Sequence, residues 1–534
     1  MSKQGRILVV DDEKKWGKEL AETLRREGFS ADAVENVSQA LEHLSSTMYH
    51  IVVLDIRLPS SSEGIDLLEE LDRRGLKEAT KVIMHSGYGT LEQMRQAFKD
   101  YDVADFVPKT NSETFLKSVQ QVFAQKVKIN PNLDIKWQMK SKVAQVVSNL
   151  EINSKRVGRN TALRQQLTNE LEDLLCRLFY EAETILVQSL TQGRSGSGVV
   201  LIQPYFKDGG RGEDVIVKFG DMNNIKKEHS NFQQYVRRFL SGGRSTAIHD
   251  LRYTPHLGGI VYSLLGAGND QLADFADFYR SADNASKITD ALKRLFQGTC
   301  ANWYMNRSRI QPLDLATDYQ QLFDFSPRKL ERLLINQLPS VHVKEKLSFT
   351  ALNNTRTFTN PLLVVTGQSF MRYTSTCIVH GDFNPYNLFI DQSGFTWLID
   401  FQTTEPGHIL RDFAMLDSAI RFQLLPTSEA SLEERLQMEE VLCSAKNFNQ
   451  MKQVAGSFTP DNRALAKAYT TVICLRTLAG SLVTQNQHDD ISEYYIALFY
   501  NALNTLQFSS LETVQHEHAL LCASLLADRL GLGS

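Results

Sequence analysis

Apolar runs in the opening part of the chain are short, rich in β-branched residues, and end in charge. Arg6 to Val10 (RILVV) stops at Asp11, Asp12 and Glu13, and a helical pattern follows through Trp16, Leu20 and Leu24. IVVLDIRLP, Ile51 to Pro59, predicts a strand ending in Asp55. KVIMHSG, Lys81 to Gly87, predicts one ending at Ser86, and ADFVPK, Ala104 to Lys109, one ending at Lys109. Amphipathic helical patterns fill the gaps, so an alternating βα unit with a parallel sheet is expected. In such sheets the polar residues at the carboxyl ends of the strands gather in one crevice.

The pattern then changes. Lys126 to about Ser154 is basic and polar with few apolar positions and reads as a linker. Leu163, Leu167, Leu171, Leu174 and Leu178 recur at helical spacing and predict a helix covering the next domain, a dimerising or signal-carrying helix being the alternative. In LTQGRSGSGVVLIQPYF, Gly193, Gly196 and Gly198 precede a β-branched run, as in a hairpin whose turn could lie over phosphates. DVIVKFG puts Lys218 inside a strand, where a cation is costly to bury unless paired, and Glu228 follows on a helical segment. RYTPHLGGIVYSLLGAG predicts two further strands with a hinge near Ser263 and Leu264.

In VHGDFNPYNLFIDQSGFTWLIDF, Val379 to Phe401, Asp382 and Asn387 sit on a loop between the short run CIV and the strand LFI, and Asp400 ends the strand TWLI. The flanking stretches, Gln271 to Ser375 and Leu424 to Ser534, read as mostly helical. The group His488, Asp489, Asp490 and Glu493 reads as a solvated helix start.

A chain of 534 residues is too long for one core, since single cores stop growing near roughly 250 to 300 residues. A net charge of −4 calls for neither nucleic acid nor an anionic membrane as partner, and nothing resembles a helix-turn-helix with a basic recognition face. No membrane span or signal peptide is legible, so a cytoplasmic location is expected. Cys176, Cys300, Cys377, Cys443, Cys474 and Cys522 lack CxxC spacing and read as reduced core residues.

Clustered Asp11, Asp12 and Asp55 repel one another, and Mg²⁺ is their natural neutraliser. Asp55 is then left as a nucleophile for a phosphoryl group whose oxygens Lys109 and Ser86 could hold. Residues 1–125 resemble the receiver domain of bacterial two-component response regulators: the Asp11, Asp12 pair, Asp55 in VVLDIRLP, Ser86 before Gly87, the aromatic Phe106, and Lys109. The resemblance implies an α/β fold with a doubly wound five-stranded parallel sheet and a histidine kinase that phosphorylates Asp55. It also implies Ser86, Phe106 and Lys109 as switch residues.

One Asp for a proton, with an Asn five residues on and a later Asp for Mg²⁺, is the arithmetic of phosphoryl transfer from ATP. HGDxxxxN followed by IDF resembles the aminoglycoside phosphotransferase and choline kinase group of protein-kinase-like enzymes. That resemblance implies an α+β two-lobed domain with a helical C-terminal lobe, with Asp382 as catalytic base and Asn387 and Asp400 as Mg²⁺ ligands. Lys218 would anchor phosphate beside Glu228, and Asp412 in LRDFAML would steady the catalytic loop. The expected organisation is a receiver at 1–125, linker and connecting helix at 126–189, N-terminal lobe at 190–268, and C-terminal lobe with helical extensions at 269–534. The expected function is a response regulator whose Asp55 controls an ATP-dependent phosphotransferase acting on a small molecule or protein, with a homodimer open through the connecting helix. The alternative is a kinase-like nucleotide-binding or scaffold module in a signalling or defence complex.

Overall fold

The computed structural model describes residues 4–532 except 57, 59–62, 88–97, 110–111, 139–142, 159, 191–195, 241–246, 264–271, 325, 327, 333–337, 339, 344, 353–355, 366, 392 and 484–489. The chain divides into two compact units, Met1–His229 with Ala247–Ala267, and Ser230–Thr246 with Gly268–Ser534.

Among its described residues the first unit contains two large sheets and a two-strand ladder. Strands β1 (Gln4–Val10), β2 (Phe29–Val34), β3 (Ile51–Leu54), β4 (Lys81–Ser86) and β5 (Asp105–Pro108) form a parallel sheet in the order β2-β1-β3-β4-β5. Successive residues of a strand face opposite sides. Ile7 and Val9 therefore join one core with Leu20, Leu24 and Phe115, whereas Leu8 and Val10 join another with Leu44 and Leu67. Burial on both faces is why β1 and β3 read as continuous apolar runs, each such side chain contributing about 1.5–3 kcal/mol.

The second sheet is built from β6 (Asp134–Trp137), β9 (Thr184–Ser189), β10 (Gly198–Tyr205), β11 (Val215–Asp221), β12 (Ile248–Tyr253) and β13 (Leu257–Ser263), in the order β12-β13-β11-β10-β9-β6. The segment expected as a linker is part of this module. Its β6 pairs in parallel with β9, from Asp134 opposite Thr184 to Trp137 opposite Val187. A helix, Val143–Ser148, and a two-strand ladder, β7 (Glu151–Ile152) with β8 (Lys155–Arg156), follow. Its apolar positions are few, but Val146, Val147, Leu150 and Ile152 are all buried, and an edge strand needs only one apolar face. The sheet thus starts well before residue 190.

The helix predicted from the leucine spacing spans Thr161–Leu178, and its Asn160 cap accepts from Leu163 N at 3.1 Å. Leu167, Leu171, Leu174 and Leu178 are buried in the core of the second sheet, with Leu163 packed at its margin. The hinge expected near Ser263 falls at the end of β13, and Leu264 lies outside the described residues.

The second unit is mainly helical, the longest helices among its described residues being Arg463–Val483, Ser492–Thr505 and Thr513–Arg529. Short strand pairs interrupt it. Thr376–Val379 runs antiparallel to Glu405–His408, and Leu388–Ile390 lies between Ala273–Asp274 and Thr396–Leu398. A fully buried ionic network joins four helices and a π-turn: Arg421 donates to Asp417 and Glu439, Arg476 to Asp417, and His518 lies 2.8 Å from Glu439. Asp490 begins the Ser492 helix, accepting from Ser492 N, whereas Glu493 is buried 3.3 Å from His408; His488 and Asp489 lie outside the described residues. Among the described residues no helix is long and apolar enough to cross a membrane, and all six cysteines are free.

Candidate functional sites

At the carboxyl ends of the first sheet, Asp11 follows β1, Asp55 follows β3, Ser86 closes β4 and Lys109 follows β5. The ladder extends just far enough to fix them: Asp11 N donates to Val34 O (3.1 Å), Asp55 N to Val10 O (2.9 Å) and Lys109 N to Ser86 O (3.3 Å). Lys109 Nζ lies 2.7 Å from Asp11 Oδ2 and 2.6 Å from Asp55 Oδ2. Asp11, Asp55 and Ser86 are buried, whereas Asp12 is exposed.

Burial pushes the Asp11 carboxyl above its ordinary pKa, and the Lys109 ammonium and Glu13 N oppose it only in part. Burial also works against Lys109, but its two carboxylate partners outweigh that and hold its pKa above the usual value. Carboxylate oxygens of Asp11, Asp12 and Asp55 lie within 4.8 Å of one another. Hard oxygen donors that close suit Mg²⁺, which would offset their repulsion and polarise a phosphoryl group arriving at Asp55.

Phe106 lies on β5, partly buried against the core that contains Leu54 and Met84. Gly64 carries no signal in the sequence. A Cβ there would lie 2.8 Å from the carbonyl oxygens of Asp55 and Ile56, so only glycine lets the next helix start against the Asp55 loop.

In the second sheet Lys218 lies on β11 between Val199 of β10 and Ile260 of β13. Its Nζ is 2.7 Å from Glu228 Oε2, on the helix Met222–Asn231, and both residues are buried. Tyr262 Oη donates to Glu228 Oε1 at 2.7 Å, a partner the sequence reading missed. Gly193 lies outside the described residues. Gly196 has φ +68°, and a Cβ there would meet Glu151 Cβ at 2.7 Å; one at Gly198 would meet the Phe219 ring at 2.4 Å. Both glycines are thus required by packing around the β9–β10 hairpin.

In the second unit, Asp382 and Asn387 share one tight loop. Asn387 Nδ2 donates to Asp382 O at 3.0 Å and Oδ2 at 3.1 Å, and Asn384 Nδ2 donates to the same Oδ2 at 3.0 Å. Ile399 N donates to Asn387 O at 3.1 Å, bringing the end of the next strand alongside. Asp400 follows with φ +66°, an unusual conformation for a residue other than glycine. Burial and then the neighbouring Asp400 charge push the Asp382 carboxyl above its ordinary pKa, against the Asn384 and Asn387 hydrogen bonds.

Asp412, fully buried, accepts from His380 N (2.9 Å), Gly381 N (3.1 Å) and Tyr304 Oη (3.1 Å). His380 Nε2 donates to Ile399 O at 2.9 Å, so the imidazole braces the two loops. Asn231 donates to the carbonyls of Phe401 and Gln402, a support with no motif to announce it. The sequence-predicted acidic and amide groups therefore meet within each unit: Asp11, Asp12, Asp55 and Lys109 in one cluster, Lys218 with Glu228, and Asp382, Asn387, Asp400 and Asp412 around one pair of loops.

The model of the ternary complex associated domain 9 matches residues 182–327 and 353–507, more than half of the chain. The chain belongs to the ternary complex associated domain 9 family. The response regulator receiver domain model matches residues 7–120, and the N-terminal sheet with its acidic crevice is a receiver domain.

A putative NtrX-like response regulator of Rickettsia conorii is 34% identical over 133 residues, 24% of this chain and 27% of the relative. The transcriptional regulatory protein ResD of Bacillus subtilis is 32% identical over 108 residues, 20% of this chain and 43% of the relative. The chain therefore spans less than half the length of either. Among solved structures, the response regulator TrrA of Thermotoga maritima, in complex with Mg²⁺ and BeF, is 30% identical with a TM-score of 0.20, covering 22% of this chain and 97% of that one.

Proposed function

We propose that the chain is a response regulator whose Asp55 takes a phosphoryl group from a histidine kinase, and that this state controls an ATP-dependent phosphotransferase carried by the ternary complex associated domain. The observation that supports an enzyme is the loop in which Asn387 and Asn384 orient Asp382 beside Asp400, with Asp412 bracing its backbone. In this reading Asp382 takes the proton of the acceptor hydroxyl as its oxygen attacks the terminal phosphorus of ATP and the bond to the ADP oxygen breaks. Asn387 and Asp400 hold Mg²⁺. Lys218, steadied by Glu228, offsets phosphate charge, and the glycine-rich stretch with Gly193, Gly196 and Gly198 precedes it in sequence. The acceptor is a small molecule or a protein.

The test is incubation of the purified chain with labelled ATP and Mg²⁺, alone and with cell extract. Transfer that disappears in Asp382→Ala supports the enzyme. The matched family's description, association in a ternary complex, favours a second reading in which the domain binds nucleotide and serves as a scaffold in an assembly. Thermal stabilisation by ATP without transfer or hydrolysis selects that reading.

A further inference from the structure

Two strands of the receiver each carry a residue of the phosphorylation site at one end and a contact with the rest of the first unit at the other. Strand β3 is bracketed by Asp55 and His50, and β4 runs from the Ala79–Thr80 turn to Ser86. Thr80 Oγ1 donates to Tyr49 O at 2.8 Å, tying the two amino ends together.

His50 has a fixed tautomer. Its Nδ1 accepts from Arg6 N at 2.8 Å, so the proton is on Nε2, which donates to Asp173 Oδ1 at 2.7 Å. Asp173 Oδ2 accepts from Arg177 Nε at 2.6 Å, and Arg177 Nη1 donates to Ala79 O at 2.7 Å. These three side chains are 4–9% exposed, so the circuit is shielded from water.

Asp173 and Arg177 lie on the connecting helix Thr161–Leu178, which is also bonded to the second sheet. Glu170, one turn earlier, accepts from Thr254 Oγ1 (2.8 Å) and His256 N (2.9 Å) at the β12–β13 turn. Leu174 and Leu178 press on Gly259 of β13, where a Cβ would lie 3.0 and 3.1 Å from their methyl carbons. A second contact runs beside it: a Cβ at Gly75 would lie 3.1 Å from Met222 Cε, at the start of the helix that carries Glu228.

We propose that the phosphorylation state of Asp55 is read at the amino ends of β3 and β4, through a clamp in which His50, Asp173, Arg177 and the Ala79 carbonyl join the receiver to the connecting helix. The inference rests on Asp55 as the phosphoryl acceptor and is independent of whether the second unit transfers phosphate. A tether carrying two independent domains needs no such contacts. A buried circuit of this kind resists partial distortion, because breaking one partner leaves another charge without compensation in a shielded site. Small shifts of β3 and β4 on phosphorylation are therefore passed to the helix or break the clamp outright.

The test is hydrogen exchange on the full chain with Mg²⁺, with and without beryllofluoride as the phosphoryl mimic. Exchange of the Thr161–Leu178 amides should change by about 5- to 150-fold in the wild type, the range of ordinary coupling between sites. Asp55→Asn should abolish the change everywhere. Asp173→Asn and Arg177→Met should keep the response around Asp55 and Ser86 but lose it in the helix, whereas His50→Gln, which still offers a donor to Asp173, should retain it. A wild-type response confined to the receiver overturns the clamp even if neither disrupting variant folds. So does an undiminished helix response in a folded Asp173→Asn or Arg177→Met chain. Absence of any response around Asp55 overturns the phosphoacceptor reading and the clamp with it.

Discussion

Asn387 donates one amide group to both the backbone oxygen and the side-chain oxygen of Asp382, at 3.0 and 3.1 Å. The loop is thereby closed on itself, so the carboxylate's direction is set before any ligand arrives.

If Asp382 is the base, Asp382→Ala should lower turnover by about a hundred- to ten-thousand-fold while leaving MgATP affinity close to wild type. Asp400→Ala should instead weaken MgATP binding. Calorimetric titration with MgATP alongside a turnover assay separates the two, and equal loss of binding in both variants would show the roles to be wrongly divided.

Asp412 holds the same loop from behind. Asp412→Ala leaves His380 N, Gly381 N and the Tyr304 hydroxyl without their buried acceptor, so denaturant unfolding should show a loss of about 2–5 kcal/mol. Gly381→Ala should also destabilise. The backbone there has φ +80°, and a Cβ would lie 2.3 Å from Thr403 O.

In the receiver, Asp55→Asn should abolish labelling by acetyl phosphate or a histidine kinase without loss of fold. Adding a chelator before the phosphodonor should prevent labelling of the wild type, because Asp11, Asp12 and Asp55 need a cation between them and the incoming phosphate. Undiminished labelling in either experiment would remove Asp55, or the metal, from the mechanism.

The stability of the second unit should depend on pH through His518. Burial holds its pKa down to about 4, against the opposing Glu439 hydrogen bond, while an exposed histidine titrates near about 6.5. As pH falls below 6.5 the unfolded chain takes up the proton first. Stability is therefore lost between about pH 6.5 and 4, by at most about 3 kcal/mol from this group. His518→Gln keeps a donor for Glu439 and removes the titration, so urea unfolding across that window should show a shallower slope than the wild type; an unchanged slope would exclude His518 as its source.

The sequence by itself determined the receiver's strand ends and the spacing of Asp382, Asn387 and Asp400, because these features are local. A strand buried on both faces must be an apolar run, and a loop of a few residues leaves little freedom in where its polar groups meet. Packing alone reveals why Gly198 must be glycine, since Phe219 becomes its neighbour only when β10 pairs with β11. The polar stretch after residue 125 was misread for the same kind of reason: the apolar content of β6 is too low to be legible, and its backbone partners are supplied by β9. His50 and Asp173 are 123 residues apart, and nothing periodic connects them. A histidine before a strand and an aspartate in a leucine-spaced helix are unremarkable in sequence, and only tertiary structure decided that they meet, because a hydrogen bond depends on distance in space and not on distance along the chain.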